Sequence, residues 1–103
     1  MTISVFVTTI TYMKWDESKR IKNLTKHDLD FNDAGQVLES PFRLDVKAVR
    51  NNEQRIQSFA YVFDRLAVLT VVHVEDNERI ISFRRASRDE REVYHEWLEN
   101  EYE

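Results

Sequence analysis

The chain has 103 residues, 42% of them hydrophobic and 33% charged, and carries a net charge of −4. That composition is too apolar for a disordered chain, and the length suits a single domain that buries roughly two thirds of the surface its unfolded form exposes. With no cysteine and one glycine, disulfides, thiolate metal sites and glycine-rich phosphate loops are excluded, and the chain is compatible with a reducing cytoplasm.

In chain order, residues 1–12 are apolar, alternate with Thr and Ser, and lack a basic leader. They read as a strand over 3–12, or as an extension ahead of a second possible start at Met13, and not as a signal peptide or membrane span. Asp16 is placed to cap a helix over 17 to about 26, with Ile21 and Leu24 as its apolar positions and lysines on its other faces. Asp30 caps a second, short helix carrying Phe31, Ala34, Val37 and Leu38, which Pro41 ends.

From Phe42 to Val49 apolar and polar residues alternate, as in a strand, and Asn51-Asn52 make the turn that follows. Strands over about 55–63, 66–74 and 79–84 follow at hairpin spacing, joined through Asp64-Arg65 and a turn over 75–78. The stretch 66–74 is almost wholly apolar and reads as a central strand buried on both faces. Ser87 with Glu90 three residues on is a capping box, opening a last helix from 88 to about 100 with Val93, Tyr94, Trp97 and Leu98 on one side. The expected class is α+β: an N-terminal strand and two helices, an antiparallel β-meander, and a C-terminal helix.

The acidity is uneven, because the last twelve residues hold five Glu and no Lys or Arg. Without them the chain has fifteen basic residues against fourteen acidic ones, a net of +1. In contrast, Arg84, Arg85, Arg88 and Arg91 crowd the junction between the last strand and the last helix. One reading of that corner is a solvated helix start with Arg88 and Glu92 paired at i,i+4. The other is a seat for a polyanion, since the guanidinium fork matches phosphate oxygens and its charge does not titrate away.

His73 is the only polar residue of 68–74 besides Thr70, and reads equally as a proton donor or acceptor near the basic corner or as a hydrogen-bonded structural side chain. His27 with Lys26 falls at a helix end, where a cap role is the simpler reading. His95 lies within the last helix and reads as solvated. These histidines give no metal-ligand spacing, and no serine nucleophile elbow is present. Metal-free RNA cleavage needs help in removing the 2′-hydroxyl proton, cations on the phosphorane oxygens, and a proton or cation for the leaving 5′-oxygen. A sheet face carrying Arg, His and Lys or Glu is able to supply them.

Five blocks in order carry a resemblance: W-D-E-S-K from Trp15, N-L-T-K-H-D-L-D-F from Asn23, E-Q-R from Glu53, V-V-H from Val71, and R-I-I-S-F-R-R-A-S-R-D-E-R-E-V-Y from Arg79. On these the chain resembles the BrnT toxins of type II toxin-antitoxin pairs, so that 1–103 forms one BrnT-like domain, with 1–12 as the N-terminal strand or extension and 95–103 as an acidic helix end. The resemblance implies a RelE-like fold and a cytoplasmic ribonuclease that needs no metal or other cofactor, inhibits translation, and has no membrane partner. It also implies a BrnA-like ribbon-helix-helix antitoxin that neutralises it, with operator DNA bound only through that antitoxin. By the same resemblance the catalytic set is Lys26, His27, Arg55, His73, Arg84 and Arg85, with Tyr94 added, and Arg84, Arg85 and Arg88 would hold RNA.

The family has Gly where Asp28 and Ala60 stand and a small residue where Phe83 stands. Asp28 is able to keep a left-handed conformation, whereas Ala60 bears on the strand's path and Phe83 on the groove beside Arg84. Two functions follow: an active ribonuclease toxin, or a catalytically weak toxin-fold module that serves as antitoxin partner and corepressor.

Overall fold

A computed structural model of the chain describes residues 14–75 and 79–101. Its strands are β1 Lys14–Trp15, β2 Leu44–Arg50, β3 Glu53–Val62, β4 Ala67–Val74 and β5 Arg79–Arg85, and its helices α1 Glu17–His27, α2 Gly35–Leu38 and α3 Arg88–Glu101. The strands form one sheet in the order β1-β5-β4-β3-β2. β2 to β5 are the expected antiparallel meander, but β1 joins β5 in parallel, so the sheet is mixed. A two-residue strand has no period to reveal it. The expected strand over 3–12 and most of the turn over 75–78 lie outside the described residues.

The local signals act as expected. The Asp16 carboxylate accepts the Ser18 N–H at 2.9 Å and opens α1, and Asp30 does the same for Asn32 at the start of a 3₁₀ turn, Phe31–Asp33. α1 closes on Asp28, whose φ of 58° lets its N–H reach the Leu24 carbonyl, so Asp28 keeps the left-handed cap expected of it. Asn51 and Asn52 both have positive φ and join β2 to β3 in the two-residue loop that such residues favour. The capping box is reciprocal, with Ser87 N–H on Glu90 at 2.9 Å and Glu90 N–H on Ser87 Oγ at 3.2 Å.

Register sorts the sheet into two faces. The cross-strand row Asp45, Ser58, Val71, Phe83 lies on one side and the neighbouring row Leu44, Phe59, Thr70, Arg84 on the other. On the first face Leu29, Phe31, Ala34 and Val37 bury Ala60, Val62, Leu69, Val71, Ile80 and Phe83, forming the main core. On the second, α3 lays Tyr94 over Phe59, Val68 and Ala86. It covers only part of that face.

Two details of the packing follow from the structure and not from the apolar pattern. Ile21 and Leu24 do not anchor α1; they are exposed, and the helix buries Asn23 instead. The Asn23 amide works as an artificial strand along the edge of β5, accepting the Phe83 N–H at 3.1 Å and donating to the Phe83 carbonyl at 2.7 Å and the Leu29 carbonyl at 3.0 Å. Ala60 leaves the strand's path unchanged, paired with Leu69 in regular register and fully buried, where a side chain larger than glycine adds to the core.

Candidate functional site

The part of the second face that α3 leaves open is concave. A cavity of about 350 Å³ is lined there by Ala48 and Arg50 of β2, Arg55 and Gln57 of β3, Val72 of β4, and Ile81, Ser82 and Arg84 of β5. A second cavity of about 330 Å³ lies between β5 and α1, lined by Lys19, Lys22, Lys26, His27, Ile81 and Ser82. The two meet at Ile81 and Ser82, so a single trough crosses the strands from β2 to α1. Its junction is a β-bulge: Val72 faces Ser82 while His73 faces Ile80, leaving Ile81 as the extra residue. Bulges re-aim side chains in this way.

Arg84 sits half-buried in the trough and grips Glu90 through both terminal nitrogens, Nη1 to Oε1 at 2.7 Å and Nη2 to Oε2 at 3.0 Å. The Ser87 N–H and the Thr70 hydroxyl, at 3.1 Å, also donate to Glu90 Oε1. Burial pushes the Glu90 carboxyl up, but the Arg84 bond, the Ser87 N–H and the Thr70 hydroxyl carry it down to about 2. The Glu90 hydrogen bonds in turn raise Arg84 further above its ordinary value. Across the sheet Arg55 donates from Nε to Glu53 at 3.3 Å, and Arg79 shares the same carboxylate.

At the other end Lys26 and His27 occupy the last turn of α1. Burial lowers the His27 pKa from its ordinary 6.5, and the nearby Lys26 ammonium and Arg84 guanidinium lower it further by disfavouring a third positive charge. The imidazole is therefore neutral at pH 7 and able to accept a proton. Arg50, Lys22 and Lys26 make no ion pair among the described residues, which leaves their charge for a ligand. Among the described residues no three His, Asp or Glu side chains cluster as metal ligands.

The trough gathers four of the residues expected from sequence, Lys26, His27, Arg55 and Arg84, and separates them from the rest. His73 is on the opposite face, because it stands an odd number of positions from Thr70 on β4 and shares a row with Ile56 and Ile80. It is 5% exposed there, with Nε2 at 2.9 Å from Ser58 Oγ. Ser58 gives its one proton to Asp45 at 2.7 Å, so His73 Nε2 is the donor to Ser58. The expectation that His73 and Arg84 share a groove is thus corrected: His73 is the structural, hydrogen-bonded histidine.

Arg85, next to Arg84 on the strand, faces the other side opposite Leu69 and is exposed. Arg88 opens α3 with its side chain 84% exposed and pairs with Glu92 at 3.3 Å, which is the solvated helix start. Tyr94 is 1% exposed, and its hydroxyl donates to the Phe42 carbonyl at 2.8 Å and accepts the Tyr61 N–H at 3.3 Å, so it ties α3 to the sheet and does not reach the trough. Phe83 faces the main core, on the side away from Arg84, and reshapes nothing beside it. Arg50, Lys19, Lys22 and Gln57 line the trough and were not singled out from sequence. The signal for Arg50 was its phase: two residues from Ala48, it must share the face of Arg55, which pairs with Ala48.

The chain is thus an α+β protein whose mixed sheet carries a cationic trough with the His27 imidazole at one end. Residues 15–90 match the family described as ribonuclease toxin, BrnT, of type II toxin-antitoxin system. The chain belongs to this family, whose members are ribonuclease toxins with RNA targets and a protein antitoxin as partner. The matched span contains every residue of the trough and stops before Tyr94. No curated protein matches the chain significantly. Among the described residues no helix is long and apolar enough to cross a membrane.

Proposed function

We propose that the chain is a RelE-like endoribonuclease that cleaves RNA in the trough without a metal, using the 2′-hydroxyl of the RNA itself as nucleophile. His27 accepts the 2′-hydroxyl proton as that oxygen attacks the adjacent phosphorus. Arg84 and Arg55 hold the non-bridging oxygens, where negative charge grows in the transition state. The bond from phosphorus to the 5′-oxygen breaks, and the Lys26 ammonium supplies a proton to the departing oxygen. The products are a 2′,3′-cyclic phosphate and a free 5′-hydroxyl. Cleavage of cellular RNA by this route inhibits translation in the cytoplasm. A ribbon-helix-helix antitoxin of the BrnA kind neutralises the toxin and carries the pair to operator DNA.

The observation that carries this reading is the shared boundary of the two cavities at Ile81 and Ser82, which brings a neutral imidazole on α1 and guanidinium groups on β3 and β5 to one channel. The test is incubation of the purified chain with a labelled RNA oligonucleotide in EDTA. Cleavage leaving 2′,3′-cyclic phosphate ends is expected. The rival reading, a weak binding module that acts as corepressor, draws on the engagement of both Arg84 terminal nitrogens by Glu90. It replaces the first if the chain cuts no RNA yet tightens the antitoxin on its operator.

A further inference from the structure

Glu90 is the carboxylate bonded to Arg84 in the trough, and at first sight a candidate base. Its lone pairs argue otherwise. Oε1 accepts from Arg84 Nη1, the Ser87 N–H and the Thr70 hydroxyl, and Oε2 accepts from Arg84 Nη2. Those donors come from β4, β5 and the start of α3, so the carboxylate is fixed by three separate parts of the chain. Oε1, so occupied, has no orientation left in which to take a substrate proton, and the two-point Arg84 pair that keeps the carboxyl ionised to about pH 2 makes Oε2 a weak base as well.

What this clamp does to Arg84 is specific. A guanidinium carries five N–H bonds in two usable forks, one end-on through both terminal nitrogens and one side-on through Nε and a terminal nitrogen. Glu90 takes the end-on fork. The remaining Nη1–H donates to the Arg85 carbonyl at an N···O distance of 3.4 Å, which leaves the side-on fork of Nε–H and the second Nη2–H as the edge for a ligand. We propose that Glu90 is the positioning residue of the trough, holding Arg84 so that its side-on fork, and not its end, meets the scissile phosphate. This rests on the ribonuclease reading given above.

Glu90 is also half of the capping box with Ser87, so a purely structural role has to be separated from a positioning role. Ser87→Ala removes the cap and leaves the Arg84 pair, while Glu90→Gln keeps an acceptor for the Ser87 N–H and loses the charged two-point grip. With a short RNA substrate, Glu90→Gln is expected to lower kcat by about 10- to 100-fold with KM changed by less than about threefold, since a misaimed group loses transition-state contacts before ground-state ones. Ser87→Ala is expected to lower the melting temperature and keep kcat within about twofold. Thr70→Val, which removes one donor from the β4 side without touching the cap, is expected to lower kcat by about threefold.

A second readout does not depend on cleavage: the Arg84 Nη–H signals in ¹⁵N NMR spectra are expected to be resolved and slowly exchanging in the unaltered chain and Ser87→Ala, where Glu90 holds both terminal nitrogens, and averaged by rotation in Glu90→Gln and Thr70→Val. If the unaltered chain cuts no RNA, the ribonuclease reading fails, and these signals still decide whether Glu90 fixes Arg84. The proposal is overturned if Glu90→Gln and Ser87→Ala lose kcat in parallel, if Glu90→Gln raises KM alone, or if the Arg84 signals are unchanged in Glu90→Gln and Thr70→Val.

Discussion

The two faces of the sheet carry similar side chains and treat them in opposite ways. On the covered face Arg43, Asp45, Ser58 and His73 form a chain of hydrogen bonds that runs from the residue before β2 to β4. On the open face Arg55, Arg84, Lys26 and His27 line a trough in which Lys26 has no carboxylate partner among the described residues and the His27 pKa is lowered by burial and then by its cationic neighbours. Buried polar groups that satisfy one another specify a core, whereas cations left facing a cavity are available to an anion. An arginine or histidine in a strand therefore gains its role from its position's parity and from what covers that face.

That contrast can be broken at either side. The largest effect belongs to Arg84→Ala, which removes the trough's central cation and is expected to lower kcat by about 10²- to 10³-fold, measured under saturating RNA. Its melting temperature should fall much less than its activity. The reverse is expected of His73→Ala: removing the donor to Ser58 on the covered face leaves a buried acceptor unpaired, at a cost of about 2 kcal/mol of stability, measured by urea unfolding. RNA affinity of the folded fraction should stay unchanged.

The pH dependence sharpens the same comparison. Because the His27 pKa lies below the ordinary 6.5, the neutral base is already present at neutral pH and is lost only as pH falls through that lowered value. The acid limb of kcat/KM is therefore expected to have its midpoint below 6.5, and an acid limb above that value would count against His27 as the base. The smallest effect is expected from Arg50→Ala at the far end of the trough. Loss of one phosphate contact should reduce the slope of log affinity against log salt by about 0.7 for single-stranded RNA, with kcat unchanged.

Much of this was legible in the sequence, and the exceptions have physical causes. Caps are local chemistry, so Asp16, Asp30 and the Ser87–Glu90 box announced the helix starts, and Asn51-Asn52 announced the first hairpin. The choice of face was harder. β4 is apolar almost throughout, so its alternation could not show that His73 and Thr70 look opposite ways, and the bulge at Ile81 shifts the phase between β4 and β5. Crowding in sequence also misled, since Arg84 and Arg85 are neighbours in the chain yet point to opposite faces, while Arg88 turns out to solvent. Asn23 shows a further limit. A polar residue amid lysines gives no sign of burial, yet its amide matches the two open backbone groups of an edge strand.

The central claim is that the chemistry lies on the open face and is served by His27 and not His73. Single-turnover cleavage of one RNA by His27→Ala and by His73→Ala, each measured where it is folded, tests it most directly. The expected result is a fall of about 10²-fold or more for His27→Ala and a rate within about threefold of the unaltered chain for His73→Ala. A folded His73→Ala chain that has lost cleavage while His27→Ala retains it would contradict the account.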